Sequence, residues 1–368
     1  MISSMFVGSL VWMESIGGLL LANIFYIPFL LRHGFRASNY DRYDGALFFY
    51  LLFIVWVSIS TFAYVIEFGA IDLRVFYKYL FTFQYFIILF KCNFPGYYFE
   101  RLLYKFVICF CLFFVALFVY LARGNGYYLD YLSKSWAYDY VPGFPNSLPL
   151  VFIFALWVSF RRNYGFSGKV LILSSVYLTA SRGALIMSAM VIGYFLIDKL
   201  RLAKMKINSP VVLFVSICIF LCLFSASWFV NFDSLYDYFY DIDRIDLYNY
   251  AFEFIKNRPL IGYGGNTLDQ LRDVSVNYHP IFLWEHTHNW VLELILRYGV
   301  VGLVFFMLFL ISVFRGIVTV ELKFMFGIYV VYALFQTFMQ NFIFIFILSY
   351  IANASKISLD VERGKYVC

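Results

Sequence analysis

Apolar stretches able to cross a hydrocarbon core of about 30 Å recur along the whole chain. They cover roughly 5–31, 46–66, 76–90, 102–121, 145–160, 170–181, 184–198, 211–231, 300–314 and 324–353. Lipid offers backbone N–H and C=O groups no partner, so runs of this kind satisfy themselves as helices. The first and last runs are interrupted by polar pairs, Glu14-Ser15 and Gln340-Asn341, and each reads as one helix or a tight hairpin of two. That allows ten to twelve spans. Hydrophobic residues make up 63% of the 368, against about 45–50% in soluble domains. The expectation is an all-α polytopic membrane protein, with residues 1–368 forming a single transmembrane domain. No stretch combines a short apolar core with a small-residue cleavage site, so Met1 is expected to begin the mature chain.

Orientation follows from where lysine and arginine sit in short loops, because these resist translocation. "RRNYGFSGK" (161–169) holds three cations and no acid, and "DKLRLAKMK" (198–206) is dense in cations. Both are expected on the cytoplasmic side. Between Phe232 and His288 there are nine acids and four cations, a net of −5, which places this long loop on the outer side together with 122–147 and the turn at Ser181-Arg182-Gly183. Cys109, Cys111, Cys218 and Cys222 lie inside apolar runs, Cys92 and Cys368 fall on the expected inner side, and the outer loop has none. This pattern argues against a disulfide framework or a thiolate metal site. No period of 20–50 residues marks a repeat array.

Three polar places break the rules for such a chain. Arg182, in "TASRGALIMSAM" (179–190), lies between two apolar runs on the side that is normally poor in arginine. Charge at membrane depth is expensive and points to function, although a long side chain reaching the headgroups explains it as well. The second place is "DIDRIDLYNYAFEFIKNRPLIGYGGN" (241–266), which starts near Arg244, continues with helix-compatible aromatic and apolar positions and ends in a glycine-rich turn. It reads as an amphipathic helix on the outer surface. The spacing of Asp241 and Asp243 also suits a divalent metal, "GYGGN" lacks the Lys-Ser/Thr ending of a phosphate-binding loop, and the tyrosines and phenylalanines suit an interfacial belt.

The third place is "EHTHNWVLELILRYGVVGL" (285–303). Asn289 is a good N-cap for a helix that starts at Trp290. His288 then sits where the macrodipole disfavours a cationic ring, and a neutral imidazole accepts a proton near pH 7, as a general base must. Glu293 and Arg297, four apart, are expected to pair. The rival reading is zinc, held by His286, His288 and either His279 or Glu285.

Taken together, these places resemble the O-antigen ligase and polymerase superfamily. His288-Asn289, nine residues, Gly299, two residues and Gly302 are similar to its signature of H-N/S/Q, nine residues, then G-x-x-G/T/Y. Arg182 in "TASRGAL" resembles its Ser-Arg-Gly element. Arg244 followed by a short helix and "RPLIGYGG" resembles its arginine, helix, Pro-Leu-x-Gly-x-Gly element, and "GFPNSLPLVFIFAL" (143–156) is a looser match. Order, side and approximate spacing agree over 143–303; the rest matches only as apolar spans.

The resemblance implies a GT-C-like glycosyltransferase on the outer face of a bacterial inner membrane, its active site in part on the periplasmic loop 232–289. The donor is an oligosaccharide on undecaprenyl diphosphate, with no metal or other cofactor. Arginine forks suit a diphosphate leaving group, so Arg182 and Arg244 are the implied grip and His288 the implied base. Asn289, Arg258 and Tyr263 complete the expected substrate-binding set. Membrane lipids and a chain-length regulator protein are the other expected partners, and nucleic acid is not. A Wzy-type polymerase is preferred to a ligase because 47 Phe and 32 Tyr suggest an AT-rich, strain-variable polysaccharide locus. A lipid flippase would line a two-sided cavity with cations, and a peptidoglycan-polymerase type would rely on Asp269 or Asp273.

Overall fold

The structure is a computed structural model that describes residues 44–69, 96–125, 148–179, 181–202, 242–265, 271, 287, 289–333 and 347–348, 350–352 and 354. Runs expected at 5–31, 76–90 and 211–231 lie outside these residues. Eight helices are described: α1 (Asp44–Phe68), α2 (Gly96–Asn125), α3 (Leu148–Arg161), α4 (Phe166–Leu178), α5 (Arg182–Leu202), α6 (Ile242–Asn257), α7 (Trp290–Gly316) and α8 (Val320–Ala333). Among the described residues there is no strand, and α1, α2 and α7 are long and apolar enough to cross a membrane. The chain is an all-α polytopic membrane protein.

The helices belong to two compact units. Helices α2 to α5 fall in the first, and α1, α6, α7 and α8 in the second.

In the first unit α3 is apolar all round, and every residue from Leu148 to Ser159 is buried; a helix with no polar face needs neighbours on all sides. Phe152 meets Phe110 and Phe114 of α2 at 6.2 and 5.9 Å between ring centroids. The basic stretch at 161–169 forms a tight turn into α4, with Asn163 at φ 52°, a left-handed position that asparagine tolerates. Buried Glu100 of α2 takes Arg161 at 3.0 Å and also pairs with Arg162. Two cations around one carboxylate offset its desolvation.

In the second unit α1 and α7 run antiparallel: Tyr50 meets Phe309 at 4.7 Å, Phe53 meets Phe306 at 5.1 Å and Tyr298 at 5.8 Å, and Trp56 meets Phe305 at 6.4 Å. The opposite stripe of α1, Phe48, Leu51, Val55, Ile59, Phe62 and Ile66, is exposed. On a spanning helix a stripe of this kind suits acyl chains.

Candidate functional site at the break in α7

Helix α7 begins as its sequence dictates. Asn289 has extended backbone (φ −140°, ψ 114°) and its Oδ1 accepts from the N–H groups of Val291 at 2.9 Å and Leu292 at 3.3 Å, satisfying two of the free donors of the first turn. Ten positions later the helix breaks without ending. Gly299 has φ 66° and ψ −177°, which an L side chain rarely adopts, and a Cβ there would overlap the Leu260 carbonyl.

The break frees backbone groups, and each described partner comes from elsewhere in the chain. Val300 N–H donates to the Pro259 carbonyl at 2.8 Å, and the Leu296 carbonyl accepts from Tyr263 N–H at 3.0 Å. Ser60 Oγ of α1 lies 2.6 Å from the Ile261 carbonyl and 3.1 Å from that of Arg297. Trp56 Nε1 donates to the Tyr298 carbonyl at 2.8 Å. The Pro-Leu-Ile-Gly-Tyr-Gly-Gly loop (259–265) is thus docked into the broken helix. Gly262 (φ 71°) makes the approach feasible, since a Cβ on it would lie 2.5 Å from the carbonyl carbon of Arg297.

Helix α6 delivers this loop. Leu247, Tyr250, Ala251 and Phe254, spaced i, i+3, i+4, i+7, are buried in a cluster with Tyr64, Tyr263, Leu271 and Leu296. The opposite face exposes Phe252 and Lys256, so the amphipathic helix expected from the sequence is present. Tyr263 stands at the centre of the cluster, its hydroxyl donating to the Phe254 carbonyl at 3.3 Å. Burial pushes its phenol up from the ordinary value, against a smaller opposing pull from Arg258, so it remains a donor. Arg258 pairs with Glu67 of α1 and lies over the rings of Phe68 and Tyr263 at 5.2 and 5.5 Å.

The expected Glu293–Arg297 pair is formed and buried. Arg297 Nε donates to Glu293 Oε1 at 2.6 Å, and a second guanidinium nitrogen lies 2.5 Å from the same oxygen. Arg297 also donates to the Gly265 carbonyl at 3.2 Å.

Of the sequence-derived candidates, Arg258 and Tyr263 come together at the junction of α7 with the loop, whereas Asn289 stands at the start of α7, ten positions before the break. Arg244 lies in the first turn of α6 in the same unit, and Arg182 opens α5 in the first unit, where Leu185 N–H donates to the Ser181 carbonyl at 3.1 Å. The side chains of Arg182, Arg244 and Asp243, and the whole of Asp241, Asp269, Asp273, His279, Glu285, His286 and His288, lie outside the described residues. Sequence reading missed Trp56, Ser60 and Glu67. Their only signal was polarity inside or beside the apolar run at 46–66.

No curated protein matches the chain. Residues 167–307 match the model of a family described as O-Antigen ligase. That interval opens in α4, contains the Arg182 and Arg244 elements and the docked loop, and closes in α7 just beyond Gly299 and Gly302. Over these residues, less than half of the chain, the sequence is similar to that family, which supports the resemblance to the O-antigen ligase and polymerase superfamily.

Proposed function

We propose that the protein is a membrane glycosyltransferase that joins oligosaccharide repeat units carried on undecaprenyl diphosphate, at the periplasmic face of a bacterial inner membrane. The acceptor hydroxyl attacks the anomeric carbon of the donor glycan while His288 takes the hydroxyl proton. The bond to the carrier oxygen breaks, and the departing diphosphate carries away the electron pair. Arg182 and Arg244 hold that anion, where fixed positive charge stabilises the transition state more than the ground state. Asn289 sets the start of α7 beside the base. Arg258 and Tyr263 enter this reading as the residues that anchor the glycine-rich loop.

One observation carries the proposal. Three elements with the expected spacing fall in order inside the family-matched interval, and two of them, the Pro259–Gly265 loop and the Gly299 region, interlock through their backbones. That interlock supports reading them as parts of one site. The family description names ligase, which uses the same donor and delivers finished glycan to lipid A-core; polymerase is preferred here on composition.

The lipopolysaccharide ladder of a strain lacking the gene tests the assignment. A core carrying a single repeat unit is expected. Bare core, with long glycan accumulating on the carrier, would transfer the assignment to ligase.

A further inference from the structure

We propose that Glu293, Arg297 and Thr287 are positioning residues that hold the segment bearing His288 against the glycine-rich loop. The inference rests on the reading of His288 as the base. Each carboxylate oxygen of Glu293 has its own task. Oε1 takes the guanidinium of Arg297 at 2.6 and 2.5 Å. Oε2 accepts from the N–H of Thr287 at 3.0 Å and lies 3.1 Å from its hydroxyl. Thr287 is fully buried, and its hydroxyl also lies 2.9 Å from the Asn289 carbonyl and accepts from Asn289 N–H at 3.3 Å. His288 therefore stands in the chain between two pinned residues, Thr287 by Glu293 and Asn289 by the first turn of α7.

The other end of the pair reaches the loop, where Arg297 donates to the Gly265 carbonyl at 3.2 Å. One buried ion pair thus ties together the His-Asn segment, α7 and the glycine-rich loop. Stability alone is a poor reason for such a pair, because well-packed apolar residues of the same volume often serve as well or better. Placement is a better one. A base must meet its proton within hydrogen-bond reach, and a misplacement of about 1 Å can lower turnover roughly 100-fold.

Thr287→Val keeps the branched shape of the side chain and replaces its hydroxyl with a methyl group, and Thr287→Ser keeps the hydroxyl without the original methyl. The full-length protein is reconstituted with a defined carrier-linked glycan, and kcat and donor KM are measured per monodisperse enzyme. Thr287→Val is expected to lose roughly 10- to 100-fold in kcat while donor KM stays within about threefold, and Thr287→Ser to recover most of the loss. Glu293→Asp, which keeps a charge for Arg297 but shortens the reach to Thr287, is expected to show the same split.

Wild-type kcat in both Thr287→Val and Glu293→Asp overturns the proposal. So does a Thr287→Ser enzyme as impaired as Thr287→Val, or a loss confined to the yield of monodisperse enzyme with kcat per enzyme unchanged. His288→Ala measured alongside separates the two levels. An active His288→Ala enzyme overturns the base assignment and this inference with it. An inactive one beside a fully active Thr287→Val enzyme overturns the positioning role alone.

Discussion

The N–H of Val300, which an unbroken helix would direct back to Leu296, donates instead to the carbonyl of Pro259 at 2.8 Å. Tyr263 takes the vacated Leu296 carbonyl at 3.0 Å. This exchange gives both freed groups new partners where a loop enters a spanning helix, as irregular chain at such a place requires. Several expectations rest on it.

Gly299→Ala and Gly262→Ala are expected to prevent the loop from docking. Each combines a left-handed backbone with a collision against main chain, so the strain of about 1–3 kcal/mol for a misplaced L residue is a lower bound. The monodisperse yield after solubilisation is expected to collapse for both. Gly327→Ala in α8 has nothing within 4 Å of its added methyl and is expected to match wild type. Normal yield and melting temperature in Gly299→Ala would contradict the docked arrangement.

Ser60→Ala removes a single hydroxyl donor that lies within reach of both the Ile261 and Arg297 carbonyls. Losing the donor to a buried acceptor costs about 1–3 kcal/mol. The variant is expected to melt several degrees lower, and Trp56→Phe likewise, while the exposed neighbour Ile59→Ala is expected to shift melting little. Thermal unfolding of the three purified variants in one detergent is the comparison.

The arginines of the proposed grip are tested by charge and shape separately. Arg182→Ala and Arg244→Ala are each expected to lose roughly 10²–10³ in kcat, the scale for removing one transition-state donor. Lysine is expected to restore only part, since it keeps the charge without the fork. If both arginines hold one anion, the double variant is expected to lose far less than the product of the two single losses. Wild-type turnover in both single alanine variants would leave only headgroup contact as their role.

For His288 the pH dependence has a definite sign. The base works as neutral imidazole, and protonation removes the acceptor lone pair. Activity is expected to be full where the imidazole is neutral and to fall as lower pH protonates it. His288→Ala is expected to lose roughly 10²–10⁴ in turnover, to keep donor binding, and to lack the acid limb in its residual rate. An unchanged acid limb would make the histidine a diphosphate ligand and move the search for the base to Asp269, Asp273 and Glu285.

Chelation separates this mechanism from a metal-dependent one. Exhaustive EDTA treatment of the purified enzyme is expected to leave transfer intact. Inactivation reversed by manganese would shift the chemistry to Asp241 and Asp243, and reversal by zinc would shift it to His286 and His288.

What the sequence determined by itself is local. A run such as 46–66 must become a helix because hydrocarbon satisfies no backbone group, and α1 occupies Asp44–Phe68 accordingly. Asn289 caps the helix that starts one residue later, and Glu293 meets Arg297 because 3.6 residues per turn bring positions four apart together. The amphipathic face of α6 follows from the same period. None of these needs knowledge of a distant residue. Tertiary structure alone decided that Gly299 breaks the helix without ending it, that the loop at 259–265 fills the gap, and that Trp56, Ser60 and Glu67 hold it there. Ser60 and Arg297 stand 237 positions apart. The physical reason is that a freed carbonyl demands a donor without specifying which one, and only packing α1 against α7 brings that serine within reach.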